Sequence, residues 1–336
     1  MTDAIGVILF IGVIAYAVFG GADFGAGFWD LTAGGAERGS APRSLIDRSI
    51  GPVWEANHTW LIYCLVVLWT GFPPAFAAIT TTLYIPLGLA ALGIVLRGSG
   101  FAFRKVTLRT AQQRLTGVIF AISSVLTPFC FGGIAGAVAS GRVPSAGGGA
   151  PLSSWLNPTG VLGGVLAVVV CAYLAAVFLS SAATHPYPDE ALHLYFRRRA
   201  LAAGIAVGIV CLAGVFVLHV DAPRLFHQLS TRGLALLIVS AAAGLAALAT
   251  LRARRARRAR LPRSLASLAV ATVIAGWGVA QYPYLLGTHL SLTQAAAPAS
   301  TLWVLVAVAC TAAVLIAPSL AALYVLHERD RLTSSA

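Results

Sequence analysis

The stretch ALAAGIAVGIVCLAGVFVLHV, residues 200–220, follows directly on Arg197, Arg198 and Arg199. It holds no Asp, Glu, Lys or Arg. A helix rises about 1.5 Å per residue, and about 20 apolar residues cross the hydrocarbon core of a bilayer. This stretch has the length and the composition for one crossing. The arginines at its start then mark a cytoplasmic boundary, because Lys and Arg stay in cytoplasmic loops.

Eight further stretches on either side have the same character. Before it come Ala4–Trp29, Ile50–Thr70, Ala75–Arg97, Leu115–Ala139 and Thr159–Ala183; after it come Gly233–Leu251, Leu265–Leu286 and Leu302–Leu326. The expected fold is an all-α integral membrane protein of about nine transmembrane helices, a single membrane domain over 1–336. Composition agrees: charged residues are 10% of the chain, where a soluble domain carries about 25%. The first apolar run, Ala4 to Phe19, has no basic region before it and leads into more apolar sequence, so no signal peptide is invoked.

With nine crossings and the N-terminus outside, twenty of the 23 basic residues fall in inner loops, and only Arg142, Arg224 and Arg232 fall outside. One missed span would scramble that alternation. The N-terminus is therefore expected outside and the C-terminus in the cytoplasm. The net charge of +12 is thus a matter of membrane topology and not a nucleic-acid footprint.

Ser140–Pro158 is rich in Gly, Pro and Ser and sits in an outer loop. It is the natural seam between a first four-helix bundle (1–139) and a second (159–286), with residues 302–326 as the ninth helix. The run Arg252–Arg263 is an inner topology determinant with affinity for anionic lipid. The five cysteines, Cys64, Cys130, Cys171, Cys211 and Cys310, all lie in apolar runs without CxxC spacing and read as packing residues.

Charged groups inside a membrane are costly and mark function by default. Asp23 lies in Gly21-Ala22-Asp23-Phe24-Gly25-Ala26-Gly27, Glu55 in Pro52-Val53-Trp54-Glu55-Ala56-Asn57-His58-Thr59-Trp60, and Arg97 at the end of the third span. Counted from the helix ends, both acids fall about 8–10 Å inside the cytoplasmic face, the face where Arg97 sits. Two acids and one base at one depth suit a proton entry route; the competing reading is a buried ion pair that only fixes helix packing. Gly21, Gly25 and Gly27 would let a neighbouring helix or a flat ligand come close. His58 stands one helical turn after Glu55, as a polar partner to Glu55 or Asn57 or, less readily, a haem ligand. His185, His193, His219, His227, His289 and His327 lie in loops or near helix ends, and no metal site is expected. There is no P-loop, dinucleotide fingerprint, HExxH or nucleophile elbow.

These segments resemble the cytochrome bd-type quinol oxidase subunit II family. Gly20 to Gly27 resembles its DGFDxGxG-like end of the first helix. Pro52-Val53-Trp54-Glu55-Ala56-Asn57-His58-Thr59-Trp60-Leu61-Ile62 resembles its PxWDGNxxWLI-like signature, with Trp54, Asn57 and Trp60 matching. Arg97 with Gly100, Phe101 and Arg104 resembles the arginine before GFxxR, and Tyr282-Pro283-Tyr284 through Thr293 the segment before the last helix. The resemblance implies a subunit that carries no haem, in a complex that oxidises quinol, reduces dioxygen and sits in a prokaryotic plasma membrane. Haems b and d are then expected in the partner, subunit I. This chain would supply proton and oxygen access and a large helix interface. A small single-helix subunit and a structural quinone or lipid are further expected companions. Two acids of the pattern are missing, at Gly20 and Ala102, and Glu55 replaces the commoner aspartate. A membrane transporter with an intramembrane acidic site, and a purely structural partner subunit, are the alternatives.

Overall fold

The computed structural model describes residues 1–35, 38–50, 54–106, 110–184, 188–253 and 260–333. The chain is mostly helical because a backbone in lipid must satisfy its own N–H and C=O groups. The elements in order are α1 (Thr2–Ala15), a π-helical turn (Tyr16–Gly20), α2 (Gly21–Leu31), α3 (Ser40–Ile50), α4 (Trp54–Gly71), α5 (Pro73–Thr82), α6 (Tyr84–Val106) and α7 (Thr110–Ala139). After an irregular loop come α8 (Pro158–Ala182), α9 (Glu190–Asp221), α10 (Pro223–Thr231), α11 (Leu234–Arg252) and α12 (Arg260–Gln281). A small hairpin of β1 (Tyr284–Leu286) and β2 (Leu290–Ser291), the single turn α13 (Leu292–Ala295) and α14 (Ala299–Thr333) complete the chain.

Among the described residues, six helices are long and apolar enough to cross a membrane: Thr2–Leu31 (α1 to α2), Gly117–Ala139, α8, α9, α11 and α12. Asn57–Gly71 and Pro73–Thr82 form a seventh candidate, bent by 117° at Phe72. Tyr84–Gly100 and Ala299–Leu315 are shorter apolar helices.

Three local features differ from the sequence reading. The expected span Ala75–Arg97 is divided at Leu83 between α5 and α6, because Pro86 has no N–H to give the Thr82 carbonyl and ends the helical ladder there. Pro73 and Pro74, which fall between the expected spans Ile50–Thr70 and Ala75–Arg97, open α5 at its first positions, where a missing N–H costs nothing. The expected span Leu265–Leu286 stops at Gln281, since Pro283 disfavours helical backbone at Tyr282, and the hairpin follows. The chain is therefore not wholly α-helical.

Packing centres on α7 and α8, which lie on either side of the Gly- and Pro-rich loop. They meet on glycines: a Cβ on Gly132 would overlap the Gly163 carbonyl, and one on Gly163 the Gly132 carbonyl. Small residues allow such approach of two backbones in lipid. α2 packs against both α7 and α8, while α1 packs on α4, α12 and α14. The buried apolar side chains form two clusters. One, around Trp29, Ile46, Leu174 and Phe196, lies between α2, α3, α8 and α9. The other, around Ile5, Phe72, Leu83 and Leu286, gathers α1, α5 and the hairpin.

Ion pairs clip the loops. Arg142 donates two parallel hydrogen bonds to Asp221 at 2.8 and 2.7 Å, and Asp221 also accepts from the Thr159 N–H and hydroxyl at the start of α8. This carboxylate raises the Arg142 guanidinium pKa above its usual value. Arg197 donates through Nε to the Leu251 carbonyl and through Nη2 to the Arg252 carbonyl at 2.8 Å, capping the end of α11.

Candidate functional site: a buried Asp23–Arg97 pair

Asp23 sits on α2 just after the π turn, and Arg97 on α6. Arg97 is completely buried and Asp23 nearly so. Arg97 Nη2 donates to Asp23 Oδ1 at 2.6 Å and to the Asp23 main-chain carbonyl at 2.8 Å. Nη1 donates to Ser124 Oγ on α7, whose hydroxyl in turn donates to the Phe120 carbonyl at 2.6 Å. The guanidinium also lies 4.4 Å from the centre of the Phe120 ring and 5.0 Å from that of Phe24. A buried cation needs a counter-ion, and ring faces such as these help to offset its desolvation.

The glycines of α2 make the arrangement possible. A Cβ on Gly25 would overlap the Cys171 carbonyl, and one on Gly27 would overlap Ser124 Oγ and lie 2.9 Å from Arg97 Nη1. Gly21 is less crowded, with Leu174 and Cys171 side-chain atoms 3.4 and 3.5 Å from its would-be Cβ. So α2 lies against the α8 backbone on one side and receives the Arg97–Ser124 contact on the other.

Polar capacity at this site is not used up. Asp23 Oδ2, Arg97 Nε and the Tyr16 hydroxyl are all buried without a hydrogen-bond partner among the described residues. The π turn that ends at Gly20 shifts the helix register immediately before Asp23, and such turns recur at functional sites.

The other expected site residues are placed less closely. Glu55 and Trp54 open α4, and their side chains lie outside the described residues, as does that of Ala102. Pro52, Val53 and the residues 254–259 of the arginine run are also outside them. Asn57 is buried, His58 half-buried, and Trp60 meets Tyr63 edge-on at 6.1 Å. α4 packs on α1 and the π turn. The structure thus joins Asp23 to Arg97.

Tyr16, Phe120 and Ser124 belong to the site but were not singled out in the sequence. Serine at position 124 is one of many small residues in an apolar span, and only its helix partner Arg97 gives it a role. A second buried acid was also missed: Asp30 forms an ion pair with Arg43, Oδ1 lying 3.2 Å from Nε, and Arg43 Nη2 donates to the Gly34 carbonyl at 2.6 Å. Among the described residues no three His, Cys, Asp or Glu side chains gather as metal ligands.

A family model described as cytochrome bd terminal oxidase subunit II matches residues 1–327. The cytochrome bd ubiquinol oxidase subunit 2 of Bacillus subtilis is 26% identical over 175 residues, 52% of this chain and 50% of that protein. The cytochrome bd-I ubiquinol oxidase subunit 2 of Escherichia coli is 29% identical over 225 residues, 63% of this chain and 56% of that protein. The matches thus span about half the length of these relatives. The fold is that of a chain in the structure of bd oxidase from Geobacillus thermodenitrificans, with a TM-score of 0.77 and 22% identity over 97% of this chain and 98% of that one. On the match that runs from the first residue to residue 327, this multi-pass membrane chain belongs to the cytochrome bd terminal oxidase subunit II family.

Proposed function

We infer that the chain is the subunit without haem of a quinol:dioxygen oxidoreductase, and that Asp23, with Glu55, His58 and Arg97, gives cytoplasmic protons access to the partner subunit. The family supports the complex. Nine crossings, with the N-terminus outside, follow if the bent pair and the two shorter apolar helices each cross once, and the one-sided arginines support that orientation. Haem held by the partner subunit would supply the electron path from quinol to dioxygen.

The observation that carries the proton reading is the state of Asp23. One carboxylate oxygen is engaged by Arg97, and the other is buried without a hydrogen-bond partner among the described residues. A carboxylate that only fixed two helices would be expected to have both oxygens satisfied, because a half-satisfied buried group is expensive. Oδ2 is where a proton can be taken up and released. Arg97 stays charged throughout and stabilises the carboxylate each time the proton leaves.

The complex purified through a tag on this chain tests the assignment. Haem b and d bands in a reduced-minus-oxidised spectrum, with quinol-driven oxygen uptake, are expected. A colourless preparation of this chain alone, obtained under mild extraction that keeps subunits together, contradicts it.

A further inference from the structure

Tyr16 is the first residue of the π turn, and its aromatic ring lies over Gly20. A Cβ at position 20 would stand 3.0 Å from two ring carbons, so the absent side chain there is what lets the ring lie flat on the helix. Phe24 and Phe131 close the ring in edge-on, at 6.4 and 5.8 Å. The ring is held by apolar contacts, while its hydroxyl is buried with no protein partner among the described residues. The Tyr16 ring and the Arg97 guanidinium both border Phe24, at 6.4 and 5.0 Å from its ring centre, and Phe24 follows Asp23 directly. Asp23 Oδ2 and Arg97 Nε, on two residues paired to each other beside Phe24, are likewise buried without a hydrogen-bond partner among the described residues.

Three orphaned groups at one place have complementary roles. Tyr16 O–H and Arg97 Nε–H can donate, and Asp23 Oδ2 can accept. A buried water with about three hydrogen bonds satisfies such a set. The geometry points to a built-in hydration site between the Tyr16 hydroxyl and the Asp23 carboxyl, with Tyr16 as the positioning residue that aims its water at Oδ2. This rests on the reading of Asp23 as a proton carrier. In the transfer the carboxyl O–H bond breaks, the proton joins the held water to give a hydronium, and the electron pair stays on Oδ2 beside Arg97. On this account the ring at Gly20 is not mere filling, because it carries the hydroxyl to the carboxylate.

The test is Tyr16→Phe in the assembled complex, beside Asp23→Asn. Phe keeps the ring packing and removes one oxygen. Quinol-driven oxygen uptake is expected to fall about tenfold, below the 10²–10⁴-fold scale of direct proton-transfer groups. The rate ratio between H2O and D2O is expected to rise, which a packing role would not move. The melting temperature of Tyr16→Phe should stay level or fall, because the hydroxyl has a partner to lose. If Asp23→Asn is slow while Tyr16→Phe keeps the wild-type rate and isotope ratio, and melts higher, the hydration site is overturned and the Asp23 reading stands. If Asp23→Asn keeps the wild-type rate, both fall together. Should Tyr16→Phe fail to assemble, infrared spectra of the wild-type complex decide. A buried-water O–H band that shifts in oxygen-18 water and changes in Asp23→Asn supports the site, and no such band overturns it.

Discussion

In the first half of the chain, α4 ends at Gly71, Phe72 adopts φ −136°, ψ 60°, and α5 sets off from Pro73 before α6 begins at Tyr84. In the second half, α9 ends at Asp221, Ala222 adopts φ −138°, ψ 61°, and α10 sets off from Pro223 before α11 begins at Leu234. The outlines match, and both residues before the prolines are buried. The interiors do not match. Arg97 and Ala247 stand at the same distance from the start of α6 and α11, and both are fully buried. One holds a charge paired across to α2; the other is a methyl group. This hairpin shape therefore forms without a buried ion pair, and the pair in the first half needs a reason other than architecture.

The largest effect should come from leaving one charge of the pair alone. Arg97→Ala abandons a buried Asp23 and should cost about 3–5 kcal/mol, read as a lower melting temperature of the complex. The double change Asp23→Leu with Arg97→Met should restore most of that stability, since well-packed apolar residues often replace a buried pair at little cost. Turnover should stay lost. Recovery of turnover in the double variant would reduce the pair to packing and erase the contrast between the halves.

A smaller effect separates the glycines. Gly25→Ala drives a methyl group into the Cys171 carbonyl, so α2 and α8 must part; a penalty of about 1–3 kcal/mol or more is expected. Gly208 on α9 has open space around its would-be Cβ, and Gly208→Ala should be neutral or stabilising by about 0.5–1 kcal/mol. Thermal unfolding of the two variants side by side checks this. Equal effects would mean that the α2–α8 contact is looser than described.

The smallest effect lies where the halves are tied together. Arg142→Ala removes the clip from the α7–α8 loop to the end of α9. Both partners are partly exposed, so about 1 kcal/mol or less is expected. Unchanged turnover with a slightly lower melting temperature is the predicted result.

Much of this was legible in the sequence because bilayer crossings require long uninterrupted apolar runs and arginines take sides. Asp23 and Arg97 stood out for the same reason: few charges occur in such runs. What was not legible depends on three-dimensional neighbours. Pro86 could be read as one more residue of an apolar span until the helix was seen to stop at Leu83. Ser124 and Phe120 acquire a role only by lying across from Arg97. The π turn has no composition of its own, and without it Tyr16 is one aromatic among many in an apolar helix. Gly20 stands where the family pattern has an acid, and only the three-dimensional structure shows that an aromatic ring lies over it.

The most direct measurement is quinol-driven oxygen uptake by the Asp23→Asn complex, with its haem spectrum recorded on the same sample. Asparagine keeps the size and the hydrogen bond to Arg97 and cannot carry a proton. Haem bands of wild-type intensity with uptake reduced about a hundredfold or more, within the range for loss of a proton-transfer group, are the predicted result. Haem bands and uptake both at the wild-type level would contradict the account.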